Sequence, residues 1–580
     1  MIKGPKAPKD PVTKGKGFFV MKNQDIEAVL RADKTWAQEI YLDDGRIENA
    51  AALVGGIEDK EILSLLKTAA GFRRLVAGIG VSVTAREAGV SETTVEFQLL
   101  VYGKRDCYHS GTHAKMPVTL NGIEQFLELS EITWSEDDKV VGQFVFVFPE
   151  KISEAKASVK LYLRSGYDVP EDFEDAAVDF HSEAYSKIIE QSLIQTGNTD
   201  RFLRAVKKAQ NGEAVTIAFI GGSITQGAGA VPSVTKCYAY QTYRAFADRY
   251  QNGGNIHYIR AGIGGTSSEL GVIRYEKDVL EYGKNKPDIV VVEFAVNDDA
   301  DETEGDCYEG LLRKIWFSKE HPAVILLFSV FAFDWNLQER FIPMGKAYGL
   351  PMVSVKDAVT KQFFLTEKTG RVFTKRQFFY DTYHPNNLGH TVMADCLSYF
   401  FDEAVKGRKD SHDCAKEQKA EPATEQLPPV KSADFEKTEY FDRAVCAAGA
   451  TIEPGSFTAK DTDLQLVERN LDDYPLGMFP DNWMHDGTDA ENTPFILRLC
   501  CRTLLLIAKD SAEELFGKAV IRVDGKVLRI YDPHEVGWTH CNAALLLREE
   551  ESTEHVIEIS MEKGQEHKCF TILGFGYVKD

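Results

Sequence analysis

Val215-Thr216-Ile217-Ala218-Phe219-Ile220-Gly221-Gly222-Ser223-Ile224-Thr225 decides the fold. Its first six residues are a short, mostly apolar run rich in β-formers, which reads as a strand buried on both faces. Two glycines then allow a sharp turn, and a serine follows at once. Downstream the same rhythm repeats. Strand candidates recur at Ile256–Arg260, Ile289–Phe294 and Val324–Val330. Helix-like stretches lie around them at Val234–Tyr250, Glu269–Glu281, Tyr308–Phe317 and Leu388–Val405. In the first of these, Cys237, Tyr240, Tyr243 and Ala247 share one face at helical spacing. Alternating strands and helices with fully apolar strands predict a parallel sheet covered by helices on both sides, over residues 191–405.

The flanks read differently. Leu75–Thr84, Thr94–Tyr102, Lys139–Phe148 and Ala157–Arg164 alternate or run apolar, separated by Gly, Ser and acidic turns. Consecutive strands of this kind predict an antiparallel sandwich over residues 1–190, led out by a helix at Asp179–Gln195. Residues 406–437 are charged, contain Pro and carry few apolar side chains, as a linker does. Strand signals return in residues 438–580 at Phe495–Ala508, Ala519–Val523, Val527–Tyr531, Ala543–Leu547, Val556–Ser560 and Phe570–Val578. Asp524-Gly525 suits a type I′ hairpin turn. A second sandwich is expected there.

Composition narrows the partners. At 580 residues the chain is too long for one core. Its net charge of -22 argues against nucleic acid or an anionic membrane surface, which both need a basic footprint, and leaves a neutral ligand open. Ten scattered cysteines are no disulfide framework; the adjacent pair Cys500 and Cys501 would face opposite sides of a strand. Neither C-x-x-C nor H-E-x-x-H occurs, so no metal or other cofactor is expected. The basic N-terminus has no apolar stretch of signal-peptide length, and no apolar run reaches a membrane span. A cytoplasmic protein is the expectation, with a secreted one stripped of its leader as the alternative.

Four blocks carry chemistry. Gly221-Gly222-Ser223 closes the first strand, where open α/β folds place their ligands. Gly262-Ile263-Gly264-Gly265-Thr266 closes the second; residue 267 is Ser, so a dinucleotide loop of the form G-x-G-x-x-G fails. Here a backbone N–H can face a developing oxyanion. Phe294-Ala295-Val296-Asn297-Asp298 closes the third, with the Asn297 amide as a side-chain donor. In Asp381-Thr382-Tyr383-His384-Pro385 a carboxylate three residues before a histidine can turn back to its Nδ1–H and leave Nε2 as a base. Each block alone also suits an ordinary turn or helix cap.

Together, in this order, they resemble the SGNH/GDSL hydrolase family across roughly residues 198–405. That resemblance implies a three-layer α/β/α core of SGNH (flavodoxin-like) type, with β-sandwich, jelly-roll-like domains on either side. It implies Ser223 as nucleophile, His384 as base and Asp381 as its orienting acid. The oxyanion hole would be the Ser223 N–H, the Gly265 N–H (or Gly264, one register away) and the Asn297 side chain. Three departures stand out: Gly-Gly-Ser for Gly-Asp-Ser, Ala295 where many members carry Gly, and Arg260 where Asn often opens the second block. None removes a catalytic atom. The accessory β domains resemble those of plant-polysaccharide acetylesterases, which implies an O-acetyl oligo- or polysaccharide substrate. Other readings are a short-chain lipase or thioesterase, or a non-catalytic carbohydrate-binding protein. Trp335, Trp483 and Trp538 fall in loop-like contexts and are candidates for stacking on sugar rings.

Overall fold

The computed structural model describes residues 14–16, 18–31, 33–86, 92–152, 154–170, 175–411, 427–463, 478–489 and 491–579. In the N-terminal part, Phe18–Ile26, Ala155–Leu163, Val76–Ala85 and Gln125–Glu128 form a four-stranded antiparallel sheet. Val29–Leu30, Trp36–Tyr41, Asp138–Phe148, Thr94–Gly103 and His113–Thr119 form a five-stranded one. Alternation along these strands sends Phe97, Phe144 and Phe146 from one sheet and Ile79, Val81 and Val159 from the other into a single core. This part is less purely β than its sequence suggests. Three short helices intervene, of which α1 (Arg46–Leu53) buries Ile47, Ala50 and Ala51. The turn into α1 is tight, with Asp44 and Gly45 both at positive φ (49° and 78°). The expected helix at 179–195 is confined to Glu183–Glu190, and Leu193–Gln195 becomes a strand.

The central unit is built on β1 (Val215–Gly221), β2 (Ile256–Gly262), β3 (Ile289–Glu293), β4 (Ala323–Phe328) and β5 (Met352–Ser354). They pair in parallel in the order β2-β1-β3-β4-β5, and Leu193–Gln195 adds an antiparallel edge beside β5. β1 runs between β2 and β3, so the crossovers diverge there and open a crevice at the carboxyl ends of β1 and β3. One face is covered by α2 (Tyr238–Tyr250) and α5 (Asn387–Ser411), the other by α3 (Ser268–Asp278) and α4 (Asp306–Trp316). The helix expected at 234–250 is broken at Cys237, whose extended backbone separates a first short turn from α2. Its buried face is accordingly Tyr238, Ala239, Thr242 and Phe246, while Tyr240 and Tyr243 lie at its margin.

Residues expected to form a linker are partly structural. α5 runs on through Ser411, and residues 412–426 lie outside the described set. Beyond them, Val430, Lys431 and Ser432 donate backbone N–H groups to the buried Glu309 carboxylate of α4 at 2.6–3.0 Å, and Phe435 is fully buried. A buried carboxylate needs such donors, and this segment supplies them.

The C-terminal part closes around one apolar core of its own. Among the described residues, eight strands share one antiparallel network built around β6 (Phe495–Asp510), β7 (His540–Met561) and β8 (Cys569–Val578), and it folds over that core: Phe495 near one end of β6 meets Phe575, which pairs with Leu506 near the other. In β6, Phe495, Leu497, Leu499 and Cys501 enter one core, and after a register shift at Cys501/Thr503 Leu504, Leu506 and Ala508 enter the same core. The bulge exchanges the two faces of the strand. Leu505 and Ile507 thereby turn outward and join Cys541, Ala543 and Leu573 against α3 and α4 of the central unit. Asp524 and Gly525 both take positive φ (51° and 74°), as a type I′ turn requires. Cys500 is exposed and Cys501 buried, and the cysteines among the described residues are free thiols. Among the described residues, no helix is long and apolar enough to cross a membrane.

Candidate active site

β1 ends in Gly221, Gly222 turns the chain, and Ser223 opens a single helical turn at the crevice. Gly222 leaves room for a side chain from β3's end. A Cβ there would stand 2.3 Å from Asn297 Oδ1 and 2.7 Å from its Nδ2. The amide of Asn297, arriving just beyond β3, thus lies directly against the backbone that carries Ser223. Its Oδ1 is buried with no hydrogen-bond partner among the described residues.

The fourth block forms a closed loop. Tyr380 N–H donates to the His384 carbonyl at 2.8 Å. Inside it, Asp381 Oδ1 accepts the backbone N–H of Tyr383 (2.7 Å) and of His384 (2.8 Å). An Asp turning back on the two N–H groups that follow it is a local, sequence-encoded turn. Both Asp381 oxygens lie 3.0 Å from His384 Nδ1, and His384 Nε2 lies 2.9 Å from Ser223 Oγ. With a carboxylate at Nδ1, the proton of a neutral imidazole sits there, and Nε2 is left to accept from the serine hydroxyl. Asp381 and His384 are 6% and 8% exposed, so their interaction is little screened.

On the second block, the Gly264 N–H is already taken by Gln226 Oε1 at 2.7 Å. Gly265 is at φ +71°, and its carbonyl receives His540 Nε2 at 2.9 Å from the C-terminal sheet. Trp538 presses on the same residue: a Cβ on Gly265 would stand 2.5 Å from the indole ring. Trp538 is half-buried, so part of its surface stays open to solvent beside the loop.

The three tryptophans separate. Trp538 reaches the site. Trp335 stands one ring away, stacked on Phe331, whose ring meets Tyr383 at 5.0 Å. Trp483 does not: it sits in the strand Trp483–Asp486, 4% exposed, and packs on Phe495 and Phe575. The expectation of a stacking role for Trp483 is corrected here, because its ring is spent on the C-terminal core.

Residues that sequence patterns did not single out also converge. From the N-terminal unit, Arg46 Nε lies 3.5 Å from Asp381 Oδ2, and the Tyr383 hydroxyl donates to Asp44 Oδ2 at 2.7 Å. Beneath the Ser223 turn, Glu293 is fully buried between Thr225 and Ser329, and burial pushes its carboxyl up to about 7. Behind the site, burial holds His390 down to about 4, and its Nδ1 accepts the Tyr238 N–H. Among the described residues, no cluster of three or more His, Cys, Asp or Glu has the makings of a metal site.

Over the central unit this arrangement is similar to that of the SGNH/GDSL hydrolases. Residues 219–392 match the GDSL-like Lipase/Acylhydrolase family. Among solved structures, the chain is similar to a two-domain esterase active on acetylated mannans, at 27% identity and a TM-score of 0.55, over 67% of this chain and 98% of that one. It is equally similar to that type of esterase co-crystallised with mannopentaose, at 26% identity and a TM-score of 0.56, over 68% and 98%. No curated protein matches the chain.

Proposed function

We propose that this chain removes short acyl groups, O-acetyl foremost, from neutral plant-type oligo- or polysaccharides, acetylated mannans first among them, through a serine acyl-enzyme. The observation that carries the reading is the 2.9 Å approach of Ser223 Oγ to His384 Nε2, with Asp381 on the far side of the ring. His384 takes the Ser223 proton as Oγ bonds to the ester carbonyl carbon, and then returns that proton to the departing sugar oxygen. Water repeats the attack on the acyl-enzyme. Its proton passes through His384 back to Ser223, and the acid is released. The developing oxyanion is met by the Ser223 N–H, the Gly265 N–H and the Asn297 amide. Gly265 is preferred over Gly264 because the Gly264 N–H is already bonded to Gln226.

The sugar assignment is supported by the likeness to esterases active on acetylated mannans and by Trp538 beside the oxyanion loop. The strongly acidic chain also suits an uncharged substrate better than a polyanion. Mass spectrometry of acetylated manno- and xylo-oligosaccharides incubated with wild type and Ser223→Ala tests it. Acetyl mass should be lost from the manno series with wild type alone. Loss with both proteins would remove Ser223 from the reaction. No loss from any acetylated sugar, with turnover of longer acyl esters instead, would replace the carbohydrate reading with a lipase or thioesterase.

A further inference from the structure

The acid of the Asp381–His384 pair is gripped from outside its own domain. Asp381 Oδ1 is occupied by two backbone N–H groups, whereas Oδ2 faces the guanidinium of Arg46 at 3.5 Å. Arg46 is delivered by the turn into α1, where Asp44 and Gly45 at positive φ aim two side chains in one direction. Asp44 takes the Tyr383 hydroxyl, and Arg46 lies over the Tyr383 ring, 4.8 Å from its centroid. Close by, Asn387 Nδ2 donates to Asp25 of the N-terminal sandwich, and Ser233 N–H donates to Glu27. The N-terminal unit is therefore fastened at several points around the loop that carries His384.

We propose that Arg46 is a positioning residue for the catalytic pair, supplied by the N-terminal unit: its charge holds the Asp381 carboxylate in place and keeps His384 a weaker base. The inference rests on the roles given above to Ser223 and His384. A carboxylate beside an imidazole stabilises the imidazolium and so raises its proton affinity; a cation beside the same carboxylate reduces that pull. Arg46 is itself mostly buried, which taken alone favours its neutral form, yet the carboxylates of Asp381 and Asp43 outweigh this and hold it firmly charged. Other groups face the same centre. Asp43 and Asp44 come from the α1 turn and Tyr383 from the catalytic loop. Glu293 at the end of β3 and His390 in α5 act on His384 from below. Asp44 is engaged by Tyr383, so Arg46 is what stands between the Asp43 and Asp381 carboxylates. Without it, the Asp381 carboxylate faces the imidazole with no cation beside it.

Two measurements on the full chain test this. The first is an NMR titration of His384 in isotope-labelled wild type, Arg46→Gln and Arg46→Lys, which requires no substrate. The second is the pH dependence of Ser223 phosphonylation by a fluorophosphonate probe, which reads the Ser223–His384 pair whatever the natural ester. In Arg46→Gln the His384 midpoint should rise by about one pH unit, and Arg46→Lys should recover most of the shift. The labelling deficit of Arg46→Gln should be about tenfold larger near pH ~6 than near pH ~8.5. Identical His384 midpoints in wild type and Arg46→Gln would overturn the inference, as would a labelling deficit that is the same at every pH. A shifted midpoint in a chain whose Ser223 is never labelled would instead overturn the esterase reading and leave the Arg46 effect on His384 standing.

Discussion

His540 Nε2 stands 2.9 Å from the carbonyl oxygen of Gly265, while its Nδ1 stands 2.9 Å from Asp510 Oδ2. The ring thus spans from the C-terminal sheet to the second glycine block. Asp510 is buried and also accepts from the Tyr531 hydroxyl at 2.8 Å. The C-terminal sheet thus fixes the orientation of the peptide that follows the Gly265 N–H. Replacing His540 with Ala releases that carbonyl and lets the loop turn. Turnover of an acetyl ester should fall by about tenfold or more, mainly in kcat, because the lost order concerns a donor proposed for the oxyanion. Asp510→Asn should do the same more weakly. Steady-state kinetics on the folded variants checks this, and unchanged kcat in His540→Ala would refute it.

In the proposed mechanism Asn297 makes a more direct contribution. Its amide is not consumed by the protein on the oxygen side, and it lies against Gly222 beside Ser223. Asn297→Ala should lower kcat on the order of 10²–10³-fold with little change in KM. Gly222→Ala, which removes no donor, should imitate it by pushing Asn297 aside. If Gly222→Ala proves as active as wild type, then Asn297 is not held where catalysis needs it.

What could be read from the chain, and what could not, follows from distance. The Ser223 turn and the Asp381–His384 loop are built from neighbours: a strand ending in glycines, and an Asp bonding to the next two N–H groups. Such units are legible because their geometry is local. Arg46 and His540 meet the site only through the packing of other units, the latter across 275 residues of sequence, and no local pattern marks them. Trp483 and Trp538 look alike in sequence; the difference is that a strand carries the first into a core and a loop carries the second to Gly265. The acidic run Glu549–Glu554 reads as a loop between two strands, yet it lies in β7, with Glu554 opposite Cys500, because its exposed carboxylates simply face solvent. The Cys501 bulge is likewise silent in sequence. It lets β6 keep one face on the C-terminal core along its length while Leu505 and Ile507 meet the central unit.

The contrast between Trp538 and Trp483 is itself testable. Trp538→Ala should raise KM for an acetylated oligosaccharide by about three- to tenfold, the equivalent of ~0.5–1.5 kcal/mol of ring contact. A small aryl acetate, with no sugar to stack, should feel only the loosening of Gly265. Trp483→Ala should cost about 3–5 kcal/mol of stability by opening a core cavity, with no selectivity between the two substrates. Parallel kinetics and thermal unfolding separate them, and equal losses on both esters in Trp538→Ala would remove it from substrate binding.

Three buried carboxylates around the site predict how stability varies with pH. Burial raises Glu293 and Asp298 to about 7 and Glu269 to about 8. In the unfolded chain the same groups titrate near ~4. Between about pH 4.5 and 7, the native state therefore holds protons that the unfolded state has released. By linkage, stability falls as pH rises through that window, by up to about 1.4 kcal/mol per pH unit for each group. Glu293→Gln removes one of the three while keeping an acceptor and a donor for Ser329 and Thr225. Its unfolding free energy should fall less steeply than that of wild type between pH ~5 and ~7, so that its relative stability is greatest above pH ~7. Denaturant unfolding at several pH values measures the slope directly. Parallel slopes in the two proteins would mean that Glu293 is ionised in the fold throughout, and that burial does not govern its proton.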